Sequence, residues 1–278
     1  MAARCASLPR RRQIFPLSCR TRHPPERSPM RLVPLLVCLA TPALADPVAD
    51  IVILGEVHDN PEAHIGQAAA LESLTPTAVV FEMLTAGDAL RADQDRDQIP
   101  AIWDTGGWPD YALYAPVFGA LGAARIVGAA APRETVRAVY GDGAATLFGV
   151  DAPRFGLDKA LPDAQQTLRE EMQFDAHCQA MPREMMAGMV EVQRYRDAVF
   201  ARAALEALDT YGPPIAVIAG NGHARTDWGI PAVIARVAPE VTTHAIGFVE
   251  AQTDTPFDTV TIVPPAPRDD PCASLQTN

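Results

Sequence analysis

Six short apolar runs, rich in valine and isoleucine, recur along the chain: Asp50–Leu54, Ala78–Met83, Arg125–Ala129, Ile215–Ala219, Val241–Val249 and Thr259–Val263. Near-continuous apolar runs suit strands covered on both faces. Helix-like segments alternate with them, which predicts an α/β fold with a mainly parallel central sheet and flanking helices. The last two runs are close together, which suits an antiparallel hairpin at one edge. Between the third and fourth runs lie about 85 residues with no strand signal, so a helical insertion is expected over residues 134–209, as a lid or small subdomain. Pro182 divides its two longest helical stretches, and the methionines of the second (Met185, Met186, Met189) suit core filling.

The ends of these runs carry the polar signal. In "ILGEVHDNPEAH" an apolar strand stops at Gly55, and Glu56, His58 and His64 follow within ten positions. Side chains alternate along extended chain, so Glu56 and His58 project the same way. Asn60 is a good N-cap and Pro61 a good first helical residue. In the helix that follows, His64, Gln67 and Leu71 share a face. The second strand ends at Glu82, the third leads to Arg133, and the fourth to Asn221, His223, Arg225 and Asp227. Open parallel sheets bind ligands outside the carboxyl ends of their strands, so four strands deliver polar groups to that one edge.

Each residue also has a bland explanation. A strand-end glutamate such as Glu82 is often structural, and His58 alone would serve as a cap. His177, on a helix, and His244, inside a strand, are read that way. "GEVH" and "GNGH", however, both place Gly-x-x-His directly after a strand. "GNGHAR" approaches a dinucleotide fingerprint, but Arg225 replaces the third glycine and the motif follows a late strand, so NAD binding is rejected. A P-loop, an H-E-x-x-H helix and a G-x-S-x-G elbow are missing from the sequence.

Charge divides the 278-residue chain in two. Of its 23 basic and 34 acidic residues, residues 1–45 hold eight arginines and one acid, Glu26. The remainder has 15 basic and 33 acidic residues, a net of −18, with Lys159 its only lysine. So acidic a body repels nucleic acid and anionic lipid. "MRLVPLLVCLATPALADP", from Met30, reads as a secretory signal cleaved after Ala45, too short to span a bilayer. Residues 1–29 read as disordered, or as upstream sequence with Met30 the true initiator. The expected product is a soluble periplasmic protein; "LVCL" lacks the small residues a lipidated Cys38 would need. Cleavage leaves Cys178 and Cys272, which in an oxidising compartment are expected to pair and pin the Pro-rich tail to a helix; the alternative is two unpaired thiols.

"GEVHDNPEAHIGQ", "FEM", "GWPDYALYAPVF", "APRE", "QRYRDAVFAR" and "AGNGHARTDWGIP" together resemble the ChaN family of haem-binding proteins, of the ChaN/Tiki/TraB/erythromycin-esterase-like superfamily. The resemblance runs from about residue 50 to 250. It implies an α/β domain with a smaller helical part and iron-regulated haem handling at the cell envelope. It also implies possible haem binding between two subunits, through a tyrosine assisted by a histidine. Distant members are described as metal-dependent proteases or esterases. Carried onto this chain, the polar rim is Glu56, His58, His64, Glu82, His223 and Asp227, joined by Gln193, Arg196 and Asp197 from one helix face. Tyr111 and Tyr114 are the nearest candidates for the tyrosine. Two departures stand out: Ala63-His64 replaces a common pair of histidines, and the lipidation signal is weak.

Three readings follow. In the first, the protein binds haem for haem or iron uptake. Trp108, Tyr111, Tyr114, Phe118 and the Met-rich helix supply a slot, and Arg133, Arg196 or Arg225 meet the propionates. In the second, Glu56, His58, Glu82 and His223 hold a divalent metal such as zinc or manganese in a hydrolase, with Glu56 or Glu82 as base. In the third, the rim groups satisfy one another in a non-catalytic envelope protein. The first two require Glu56, His58, Glu82 and His223 in one pocket, with His64 and Asp227 behind it.

Overall fold

The structure, a computed structural model, describes residues 49–270 and 272–273. The expected leader, with its expected cleavage after Ala45, lies outside the described residues. In chain order the main elements are β1 (Ile51–Glu56), α1 (Pro61–Leu74), β2 (Ala78–Phe81), α2 (Ala86–Gln94), α3 (Ile99–Asp104), α4 (Tyr111–Gly119) and β3 (Arg125–Gly128). Then come α5 (Arg133–Asp142), α6 (Ala144–Phe148), α7 (Asp163–Ala176), α8 (Met186–Tyr211), β4 (Ile215–Gly220), α9 (Asn221–Ala224), α10 (Ile230–Val237), β5 (Thr243–Val249) and β6 (Thr259–Ile262).

Burial on both faces explains the strand composition. All six residues of β1 and all six of β4 are buried. On one face Ile51, Ile53, Val80 and Val217 pack with Phe200, Ala201 and Ala204 of α8. On the other, Val52, Leu54, Val79 and Phe81 meet Leu71 of α1, Trp103 of α3 and Tyr114 of α4. The long helix α8 therefore lies on the sheet itself and forms much of one covering layer. Met186 belongs to the buried interior, as the sequence suggests for the Met stripe.

The sheet has the order β3-β2-β4-β1-β5-β6, with every pair parallel. The expected antiparallel hairpin is therefore wrong: β6 runs alongside β5 in the same direction. The connection is long enough to travel back along the sheet. It is clasped at the start of β5, where Asp258 N–H donates to Ala245 O and Ala245 N–H to Asp258 Oδ2. Gly247 makes room for this return, since a Cβ there would lie 2.7 Å from the Phe257 ring.

The strand order sets the site. β4 inserts between β1 and β2, so the carboxyl ends of β1, β4 and β2 are immediate neighbours at the point where the winding reverses. The helix that leaves β1 starts as its sequence dictates: the Asn60 side chain accepts from the N–H groups of Glu62 and Ala63, and Pro61 opens the first turn.

The C-terminal tail is strapped back over this end of the domain. Asn60 Nδ2 donates to Pro264 O at 2.9 Å, and Arg268 forks onto Asp59 and Glu250. The tail carries a disulfide between Cys272 and Cys178, just past α7, across 94 positions of sequence. Closing so long a loop removes entropy from the unfolded chain. The double variant Cys178→Ser/Cys272→Ser should therefore lose about 2–4 kcal/mol in urea denaturation of the non-reduced protein. An unchanged midpoint would mean that the bond constrains nothing the strap does not already hold.

Candidate functional site

Glu56 ends β1 with its carboxylate buried, a costly position unless positive charge and donors surround it. Three donors do. Tyr114 O–H donates to Oε1 at 2.5 Å, His58 Nδ1 lies 2.7 Å from the same oxygen, and His64 Nδ1 lies 3.3 Å from Oε2. His64 is placed by its helix, as the i, i+3, i+7 spacing of His64, Gln67 and Leu71 predicts; all three are buried. Gln67 Nε2 donates to Leu54 O, which turns its carbonyl oxygen towards His64 Nδ1. His64 Nε2 meets His58 O at 3.1 Å. Both ring nitrogens thus face acceptors, an arrangement that favours the imidazolium.

The pKa directions follow this geometry. Burial pushes the Glu56 carboxyl up, but the hydrogen bonds and charges of His58 and His64 outweigh it and bring the group down to about 2. Burial pushes both imidazoles down, and Glu56 more than reverses this, raising His58 and His64 above the ordinary histidine value.

Glu82 is a second buried carboxylate, just beyond β2. It accepts from Gly220 N–H at 2.8 Å and from Arg196 Nη2 at 2.9 Å. His58 Nε2 lies 3.9 Å from one of its oxygens and His223 Nε2 3.6 Å from the other. The carboxylate therefore stands between the two Gly-x-x-His histidines. Burial raises its carboxyl, and the charges of His223, Arg196 and His58 bring it below the usual value. His223 Nδ1 pairs with Asp197 Oδ1 at 2.6 Å, and Gln193 Nε2 approaches His223 and Gly222 O. One face of α8 thus brings Gln193, Arg196 and Asp197 to the rim. Gly220 is essential to the assembly: a Cβ there would sit 2.9 Å from His58 Nε2 and 3.7 Å from Glu82 Oε2.

Beside this cluster opens a cleft of about 500 Å³, lined by Met83, Trp108 and Val136 and by Arg133, Arg137 and Arg196. The His58 ring lies 5.0 Å from that of Trp108. Arg133 Nη2 is tied to Gly106 O. Arg137 escapes sequence reasoning because nothing in its neighbourhood forms a motif; its place, one turn after Arg133 on α5, is the one available hint.

Several candidates lie elsewhere. Tyr114 is fully buried beneath Glu56, and burial plus that carboxylate drive its hydroxyl far above its ordinary range, the reverse of what a phenolate ligand needs. The Tyr111 ring packs on Phe118, outside the cleft lining, and Phe118 is buried among core residues. Asn221 braces the sheet by donating to Phe248 O. Arg225 is bound to Asp227 at both carboxylate oxygens, its guanidinium 3.4 Å above the Trp228 ring. Asp227 therefore serves Arg225 rather than backing the rim. Glu56, His58, Glu82 and His223 are neighbours, yet among the described residues no group of three or more His, Cys, Asp or Glu converges on a metal position. Their oxygens and nitrogens are directed at one another.

Residues 46–234, well over half of the chain, match the family described as haem-binding uptake, Tiki superfamily, ChaN. The protein belongs to this family. Among solved structures it is similar to one described as cofacial heme binding to ChaN of Campylobacter jejuni. The TM-score is 0.57 and the identity 20%, over 76% of this chain and 86% of that one, a likeness of fold. A succinoglycan biosynthesis protein is more distant, with TM-score 0.40 and 11% identity over 72% of this chain and 65% of that one. The type III effector HopBA1 has TM-score 0.36 and 15% identity, over 72% and 77% of the two chains. No curated protein matches.

Two outcomes follow from this geometry. Raised histidines contribute stability that is complete below the unfolded value of 6.5 and is lost as pH climbs through their higher folded values. Glu56, lowered, contributes above 4.5 and loses that contribution as pH falls towards 2. Urea midpoints should therefore be highest between those two values and decline at alkaline pH, and His64→Gln should flatten the alkaline decline. A wild-type midpoint constant from about pH 6 to 9 would contradict the ion pair. Separately, Gly220→Ala should push His58 out from between the carboxylates and cost about 1–3 kcal/mol, read by denaturation.

Proposed function

We propose that this protein binds haem in the cleft between Trp108 and Arg133 and serves haem or iron uptake at the cell envelope. The observation that carries the reading is the composition of that cleft in a member of the haem-binding uptake family. Trp108, Met83 and Val136 offer an apolar wall for a macrocycle, while Arg133, Arg137 and Arg196 are suited to carboxylates. A volume near 500 Å³ falls within the usual range for small-molecule sites. Bound haem supplies an iron with axial positions and two anionic propionates. His58, beside Trp108 and partly exposed, is the candidate imidazole nearest the cleft. Its two carboxylate neighbours orient the ring and hold a proton on it. To hold the iron His58 would have to lose that proton, whereas to donate a hydrogen bond it would keep it.

Envelope location is supported by the Cys178–Cys272 disulfide, which persists in oxidising compartments, and by the leader read from Met30. Sharing of haem by two copies of the chain rests on the family resemblance. The hydrolase reading has less support, because Glu56 and Glu82 are buried and held by Tyr114, His58, Arg196 and Gly220, and among the described residues no group of three or more His, Cys, Asp or Glu converges on a metal position.

Titration of haemin into the purified apo-protein, followed at the Soret band, should give a saturable shift at micromolar protein. The double variant Arg133→Gln/Arg137→Gln should weaken binding by roughly tenfold or more, through loss of charge-assisted hydrogen bonds. His58→Ala should alter the spectrum, while Tyr114→Phe should leave the axial signature unchanged. Absence of a saturable shift at equimolar haemin would remove the proposal.

A further inference from the structure

Beyond Asp197, the partner of His223, α7 and α8 line a cavity of about 140 Å³ together with the chain around Trp228. Its charged lining is Arg169 from α7, Arg194 and Asp197 from α8, and Asp227 and Arg236 from the segment after β4. Two of these five charges are already matched, and Arg236 is exposed to solvent. Arg194 bonds Glu191 and the carbonyls of Gly156 and Lys159, and Asp227 is chelated by Arg225.

Two buried groups remain unmatched. Arg169 is only 8% exposed, and among the described residues its guanidinium has neither a hydrogen bond nor an ion pair; its Nε is fully enclosed. It lies 4.7 Å from the Trp228 ring, which gives it a face to rest on but no acceptor. Asp197 uses Oδ1 for His223, and its Oδ2 is buried without a partner. An enclosed N–H with no acceptor and an enclosed carboxylate oxygen with no donor each carry the desolvation cost of a buried, unpaired polar atom. Burial lowers the Arg169 guanidinium to about 10, still charged at neutral pH.

We infer that this cavity is a binding site for a small oxyanion that retains a proton, of the hydrogen phosphate or bicarbonate type. The planar fork of Arg169 matches two oxygens of such an anion. The remaining O–H can donate to Asp197 Oδ2, which a fully deprotonated anion would meet only as like charge. Size agrees: at about 30 Å³ per water the cavity holds four or five waters, or one tetrahedral oxyanion. Asp227 and Trp228 lie partly exposed at its rim, so a ligand can enter from solvent. Because Asp197 also holds His223, the ligand would sit one residue away from the Glu82 cluster.

Calorimetric titration of the whole protein at about pH 8 and constant ionic strength compares inorganic phosphate, bicarbonate and sulfate. Phosphate and sulfate then carry nearly the same charge and differ in the proton. Saturable one-to-one binding of phosphate, bicarbonate or both, with sulfate at least about tenfold weaker, is expected. Binding of phosphate alone would identify a tetrahedral ligand, and of bicarbonate alone a planar one. Arg169→Gln should weaken the binding about tenfold or more, whereas Arg125→Gln, at a remote surface pair, should not. Sulfate binding as tightly as phosphate would overturn the inference. So would the lack of saturable binding by phosphate and bicarbonate alike, which would leave water as the bridge between Arg169 and Asp197. If Arg169→Gln does not fold, the discrimination shown by the wild-type protein decides alone.

Discussion

Burial of two carboxylates at neighbouring strand ends is the constraint on which the rest of this site depends. Glu56 and Glu82 both lie almost wholly out of water, on either side of the end of β4. An uncompensated charge there would cost several kcal/mol, so each must collect donors and positive charge from whatever the chain can bring near. His58 touches Glu56 and faces Glu82, which couples the two. His64 and Tyr114 complete the surroundings of Glu56, and Arg196, His223 and Gly220 those of Glu82.

That requirement explains why distant parts of the chain meet here. The helical segment between β3 and β4 is more than a cover for the sheet, because α8 carries both the apolar residues that pack on the sheet and the polar face that reaches the rim. Phe200 and Ala204 do the first; Gln193, Arg196 and Asp197 do the second. The same logic extends outward. Asp197 pairs with His223 and also lines the Arg169 cavity, so the polar network continues beyond the rim.

The cleft beside the cluster follows from the same arrangement. Trp108 stacks near His58, and Arg196 lines the cleft while bonding Glu82, so a ligand in the cleft would contact groups already locked by buried charge. Such locking preorganises a site, since little side-chain freedom remains to be lost on binding.

Much of this was legible in the sequence. The cysteine pair follows from cysteine count and compartment, whereas the six strand cores, the Asn60-Pro61 helix start, the shared face of His64, Gln67 and Leu71 and the two Gly-x-x-His strand ends all follow from local periodicity and turn chemistry. Each depends on residues close together in the chain. The face of α8 bearing Gln193, Arg196 and Asp197 was legible for the same reason, through helical spacing. What required the tertiary structure was every pairing between elements. That β4 enters between β1 and β2, that β6 runs parallel to β5, that Tyr114 lies beneath Glu56 and not on the surface, and that Arg225 spends its charge on Asp227 were each decided by long-range packing. Arg137 and Arg169 belong with these: one lines a cleft and the other a smaller cavity, and neither sits in a motif. A local pattern states which face of an element is apolar. Which partner that face meets, and which charge is left over, is settled by competition among all the elements for one core.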